Sequence, residues 1–133
     1  MSHCIKNVCI IDDDNIYINL VSKIIEIIKL SENVLIFKNG KEALDFFINS
    51  IKDPEEYIIP QVIFLDLNMP IMDGWEFLDE YEKIRDKIDK KINLYVVSSS
   101  IDGRDIKRAK SIDAVLDYLT KPIGIKDLEK ILV

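Results

Sequence analysis

Asp12, Asp13 and Asp14 close a short apolar run at residues 8–11, and Asp66 closes another at residues 62–65. Ser98 ends a third run, residues 94–97, and Lys121 follows a fourth, residues 114–119. Carboxylates crowded together raise one another's pKa and destabilise the place they share. A hard divalent cation removes that repulsion. Mg²⁺ takes one or two carboxylates, keeps several waters and accepts phosphate oxygens. Phosphoryl transfer needs an in-line nucleophile, a metal that bridges oxygens, and cations for the spread-out charge. A carboxylate serves as the nucleophile in some enzymes and becomes an aspartyl phosphate. A lysine then pairs with phosphoryl oxygens as a point charge, and a serine hydroxyl donates to one of them. Any one of these aspartates alone reads as a solvated loop residue. Asp12, Asp13 and Asp66 at run ends, joined by a lysine and a hydroxyl, read as a Mg²⁺-assisted phosphoryl site.

Those residues act together only if the chain delivers them to one place. Apolar runs alternate with helical spacing five times. After residues 8–11, positions Tyr17, Leu20, Val21, Ile24, Ile25 and Ile28 follow a helical period. Residues 34–37 read as a second strand closed by Asn39-Gly40, and Ala43, Leu44, Phe47, Ile48 and Ile51 form the next stripe. Asp53-Pro54 ends that helix, because proline lacks the N–H and fixes φ. Residues 55–60 form a loop before the third strand. Gly74 precedes a third helix with Phe77, Tyr81, Ile84 and Ile88 as its apolar positions. The fourth helix, residues 102–110, is polar, and Ile125, Leu128 and Leu132 mark a fifth. Strands that are apolar throughout are buried on both faces, as in a parallel sheet. Right-handed crossovers then cover both sides with helices. The expected fold is α/β, a three-layer sandwich around a five-stranded parallel sheet. In such sheets ligands bind beyond the carboxyl ends of the strands. Four of the five strands deliver a charged or hydroxyl residue to that edge.

The segments Ile11-Asp12-Asp13-Asp14, Leu65-Asp66-Leu67-Asn68-Met69-Pro70 with Asp73-Gly74, Val97-Ser98-Ser99-Ser100 and Tyr118-Leu119-Thr120-Lys121-Pro122 resemble response-regulator receiver domains in content, order and spacing. The resemblance covers nearly the whole chain and implies a flavodoxin/CheY-like (βα)5 fold with strand order 2-1-3-4-5. It implies Asp66 as phosphoacceptor, Asp13 as a direct Mg²⁺ ligand, Asp12 holding metal-bound water, and the Asn68 main-chain carbonyl as a further ligand. Ser98 and Lys121 become the phosphoryl contacts. Ser99 stands where the family wants a small side chain, and Asn68 and Ser100 stand where phosphoryl lifetime is tuned. Lys121-Pro122 is similar to a bond that is cis in many receivers. Tyr118 occupies the aromatic switch position: Ser98 moves toward phosphate and Tyr118 turns inward, a two-state equilibrium biased by a new charge. Two departures stand out. The stretch between Asp13 and Asp66 is longer than in minimal receivers, with the excess placed at residues 51–60. Serine at position 98 replaces the commoner threonine and has a freer χ1.

The implied partners are a histidine kinase or phosphotransfer protein, and a downstream protein reading the surface of the fourth helix, fifth strand and fifth helix. Arg104, Lys107, Arg108 and Lys110 make that helix basic, either as a solvated face or as a patch for an acidic partner. Trp75 reads as a packed helix-start residue. The 133 residues suit one domain spanning 1–133, with no output domain after it. Output then runs through protein contact or onward transfer of phosphate. A net charge of -6 argues against nucleic acid as a partner. No apolar run reaches membrane-spanning length and no leader is visible, so the expected location is cytoplasmic. Cys9 reads as a small buried hydrophobe, Cys4 as incidental and the single histidine, His3, as surface decoration. The chain is expected to catalyse only its own phosphorylation and dephosphorylation. A haloacid-dehalogenase-type phosphatase would need a second acid two residues after the nucleophile, where Asn68 stands. A flavin domain would need a Ser-, Thr- or Gly-rich phosphate loop after the first strand, where the aspartates repel anions. A degenerate receiver acting only as an interaction module is the remaining alternative.

Overall fold

A computed structural model describes residues 5–132, so His3 and Cys4 lie outside the described residues. Every apolar run becomes a strand: β1 (Ile5–Ile11), β2 (Ser31–Phe37), β3 (Val62–Leu65), β4 (Asn93–Ser98) and β5 (Val115–Thr120). They form one sheet in the order β2-β1-β3-β4-β5, and every pair is parallel. The helices are α1 (Asn15–Ile28), α2 (Gly40–Lys52), α3 (Gly74–Ile84), α4 (Gly103–Lys110) and α5 (Ile125–Leu132), with a 3₁₀ turn at Arg85–Lys87.

Period-two alternation splits the strand residues between two cores. Cys9, Ile11, Ile63, Leu65, Leu94 and Val96 pack with Ala43, Leu44 and Phe47 of α2, Phe77 and Leu78 of α3, and Ala109 of α4. Val8, Ile10, Val62, Phe64 and Val97 pack with Tyr17, Ile18, Val21 and Ile25 of α1 and Leu128 and Leu132 of α5. Three helices therefore cover one face and two the other, which is the expected three-layer sandwich. Cys9 is fully buried and free, and burial pushes its thiol pKa far up. Among the described residues, no helix is long and apolar enough to cross a membrane.

Several expectations are corrected. β1 and β2 begin three residues earlier than their apolar runs suggest, because the ladder pairs Ile5 with Ser31 and Asn7 with Asn33 regardless of polarity. On α1, Leu20 and Ile28 are exposed while Ile18 is buried. Ile88 lies beyond α3, after the 3₁₀ turn, yet is still buried. Ile125 starts α5 but is about half exposed, so Leu128 and Leu132 seat that helix. Gly74 is the first residue of α3, and Asp73 is its cap, with Glu76 closing a capping box. The excess residues emerge as the end of α2 and the loop into β3, at the amino edge of the sheet. There Gln61 N–H donates to the Asn7 carbonyl at 2.9 Å.

Candidate functional site

β1 and β3 are neighbours, and the chain leaves the sheet in opposite directions from them, toward β2 and toward β4. This is the topological switch point where α/β sheets open a crevice. Ile11 pairs with Leu65, so the next residues, Asp12 and Asp66, emerge side by side. Asp66 N–H extends the ladder by donating to the Ile11 carbonyl at 2.9 Å, and Asp12 N–H does the same to Phe37 at 2.9 Å. Both carboxylates are buried, whereas Asp13 is exposed. Asp12, Asp13 and Asp66 each offer an oxygen within 4.8 Å of the others.

Main-chain donors hold the two buried acids. Asp12 Oδ1 accepts from Asp14 N–H at 3.0 Å, and Asp66 Oδ1 accepts from Leu67 N–H at 2.9 Å. The Asp14 side chain accepts from Ile16 and Tyr17 N–H and caps α1. Lys121 reaches across from the end of β5. Its Nζ lies 2.8 Å from Asp12 Oδ2 and 3.7 Å from Asp66 Oδ1. The Lys121 N–H donates to the Ser98 carbonyl at 2.8 Å, and the Lys121-Pro122 bond is cis. Ser98 is fully buried, and its Oγ accepts from Ser100 N–H at 3.1 Å. Burial, and then the Asp12 charge, push the Asp66 pKa up to about 6, against the lowering pull of Lys121 and the Leu67 and Asn68 N–H groups.

The donor set suits a hard cation. It is all oxygen, as Mg²⁺ and Mn²⁺ sites with carboxylates are. Among the described residues the buried Asp12 Oδ2 finds no well-angled hydrogen bond, even with Nζ 2.8 Å away. Asp66 carries a raised pKa that a cation would lower. The remaining residues picked from the sequence stand in the flanking loops: Asn68 exposed after β3, Ser99 exposed and Ser100 half-buried after β4. Tyr118 is buried, and its hydroxyl donates to the Ser100 carbonyl at 2.8 Å. Ser100 Oγ in turn donates to Asp105 of α4 at 2.8 Å.

Other contacts at the site escape a reading of the sequence. The Lys121 ammonium sits 4.4 Å from the centroid of the Tyr17 ring. A Cβ on Gly74 would lie 2.3 Å from the Asp66 carbonyl oxygen, so only glycine lets α3 start against the end of β3. Asp14 as a cap was legible, since an aspartate before an apolar helical period is a start signal. The Tyr17 contact joins residues over a hundred positions apart and leaves no local mark. Three basic residues of α4 are engaged: Arg104 with Asp102, Lys110 with Asp117, and Arg108 over the half-buried Trp75 at 4.1 Å.

A parallel α/β domain with an oxygen-only acidic pocket at its switch point is the class that fold and site define. The chain belongs to the response regulator receiver domain family, which matches residues 8–133, and so to two-component signal transduction. A two-component response regulator from Cytophaga hutchinsonii is 30% identical, with a TM-score of 0.82 over 97% of this chain and 95% of that one. The phosphorylated cyanobacterial phytochrome response regulator RcpA is 26% identical, with a TM-score of 0.77 over 96% of this chain and 89% of that one. Response regulator Rcp1 of Synechocystis is 29% identical over 94% of this chain and 82% of its own length. A Mn²⁺-bound structure of Rcp1 aligns with a TM-score of 0.70 over 95% of this chain and 88% of that one. The chain spans only about a fifth of the length of longer relatives, such as the response regulators of Arabidopsis thaliana and Oryza sativa.

Proposed function

We propose that this chain is a working phosphoacceptor receiver. An Asp66 carboxylate oxygen attacks the phosphorus of a phosphohistidine on a kinase or phosphotransfer protein. The O–P bond forms, the P–N bond breaks, and the imidazole leaves with the electron pair. Asp12, Asp13, Asp66 and the Asn68 main-chain carbonyl would hold Mg²⁺, which when bound neutralises the acidic cluster and the incoming phosphoryl oxygens. Lys121 exchanges its carboxylate contacts for a phosphoryl oxygen, and Ser98 Oγ gives up Ser100 N–H to donate to another. The carrying observation is Lys121 Nζ lying between Asp12 and Asp66 although the three residues come from three different strand ends. The phosphorylated state of RcpA and the metal-bound state of Rcp1 support the reading by likeness.

The readout runs from Ser98 through Ser100 to Tyr118 and α4, since Ser100 touches all three. The surface of α4, β5 and α5 then presents the changed state to a downstream protein, and no external substrate is turned over. The phosphodonor approaches over the carboxyl edge of the sheet. Ile16, Ile71 and Ile101, each 80% exposed or more, rim that edge from the first turn of α1 and the loops after β3 and β4. Exposed apolar side chains around an acidic pocket suit a protein donor.

The test is incubation with a small-molecule phosphodonor, with and without Mg²⁺, read by intact mass. One base-labile phosphoryl per chain is expected, dependent on Mg²⁺ and absent in Asp66→Asn. Lys121→Ala lowers the rate by roughly 10²-fold. Unchanged labelling of Asp66→Asn sinks the reading, and so does a wild type that never labels.

A further inference from the structure

We infer that Tyr17 is the positioning residue for Lys121, its ring forming the fixed wall that keeps the lysine ammonium beside Asp12 and Asp66. The inference rests on the phosphoacceptor reading for its consequence, but the contact itself does not.

Lys121 has a flexible four-carbon stem ending in a compact charge, and nothing intrinsic directs it. Two carboxylates attract it from one side, Asp12 at 2.8 Å and Asp66 at 3.7 Å. When a cation or a phosphoryl group takes over those carboxylates, the electrostatic hold on the ammonium changes. The ring 4.4 Å from Nζ does not depend on them. It is held in the core beside Ile18, Val21 and Ile25 and is 8% exposed, so it cannot swing away with the lysine. An ammonium over an aromatic face is attracted by the ring quadrupole, most strongly where water is excluded. The Lys121 side chain is itself only 15% exposed. Helix α1 delivers Tyr17 to this place because Asp14 caps it directly after the acidic pair.

The hydroxyl takes no part in this role. Among the described residues the buried Tyr17 Oη has no hydrogen-bond partner, and the ammonium lies over the ring face. The ring is therefore the working part, and phenylalanine should replace it.

Two measurements test the inference. By NMR, the ε-methylene protons of Lys121 should be shifted upfield by the ring current, and the shift should survive addition of Mg²⁺. Values matching exposed lysines in the Mg²⁺-loaded protein overturn it. By kinetics, Tyr17→Leu should slow labelling from a small-molecule phosphodonor about tenfold, the order a desolvated contact of this kind is worth. Tyr17→Phe should restore the rate. In a Lys121→Ala background, Tyr17→Leu should have no further effect. An equal slowing in both backgrounds means that the ring acts elsewhere and overturns the inference. If Tyr17→Leu does not fold, Tyr17→Met takes its place in the cycle. A wild type that never labels while the ring-current shift is present refutes the phosphoacceptor reading and leaves the contact standing.

Discussion

At the scale of single residues the site is a balance of burial against charge. Asp66 has a folded-state pKa of about 6, above the ordinary 3.8, because burial and Asp12 penalise its charged form. The folded chain therefore holds this proton more tightly than the unfolded chain. Where the unfolded state binds fewer protons, stability falls as pH rises. The Asp66 contribution is thus lost between about pH 4 and about pH 6, and it is missing at neutral pH unless a cation restores it. Thermal melts of wild type and Asp66→Asn should show this as a difference. Metal-free wild type should gain on the variant as pH drops, and Mg²⁺ should stabilise wild type more near neutral pH than at about pH 4.5. A Mg²⁺ effect that is the same at both pH values contradicts this. Gly74 is the steric counterpart. The atoms a Cβ would meet are backbone, at 2.3 Å and 2.8 Å, and cannot step aside cheaply. Gly74→Ala should cost about 1–3 kcal/mol in urea unfolding and also slow labelling, since the displaced segment carries Asp66 and Leu67. The identities of Asp12, Asp13, Asp66, Ser98 and Lys121 were legible because each chemistry admits few residue types. The Tyr17 and Gly74 contacts were not, because van der Waals neighbours across the fold leave no pattern in the chain.

At the scale of elements, caps and faces decide how the site is presented. Asp14 belongs to the acidic triplet, yet its carboxylate caps α1 and is absent from the cation cluster. Asp14→Ala should cost about 1 kcal/mol of stability, the usual worth of an N-cap, and leave the labelling rate at its wild-type level. Chemical denaturation paired with labelling checks both halves. A loss of labelling comparable to that of Asp13→Ala would make Asp14 part of the pocket. The inner strands β1, β3 and β4 were legible because both their faces are largely buried, so an apolar run suffices to find them. The face of α1 was not. Ile16, Ile18, Leu20, Val21, Ile24, Ile25, Ile27 and Ile28 put apolar groups on nearly every side. Spacing alone cannot choose among such faces. Docking on the sheet chose Tyr17, Ile18, Val21 and Ile25, and left Ile16, Leu20 and Ile27 within about 40° of one another on the outward side.

At the scale of the whole molecule, the two edges of the sheet have separate duties. The excess loop lies at the amino edge, where it alters nothing near Asp66. The carboxyl edge carries the acids, the lysine, the serine and the isoleucine rim. Ile71 is the most informative member of that rim. It is a β-branched residue at φ 70, in the left-handed region, and its side chain is 80% exposed. A branched side chain is costly in that conformation, where Asn and Asp are several-fold enriched. The turn lets Met72 N–H donate to the Pro70 carbonyl at 2.7 Å and seats Met72 against the core, where its carbonyl accepts from Gly40 N–H at 2.9 Å. The fold thus holds the strained backbone while the Ile71 side chain stays free for a partner. Ile71→Asn should stabilise the protein by about 1 kcal/mol. It should leave labelling by a small phosphodonor intact and slow transfer from a histidine-phosphorylated protein, with Ile101→Asp adding to the slowing. Both substitutions lie outside the cation pocket, so a selective loss separates docking from chemistry. Equal transfer from the protein donor to wild type and to the double variant would remove the rim from the docking surface. The exposed Ile71 side chain would then serve no docking role.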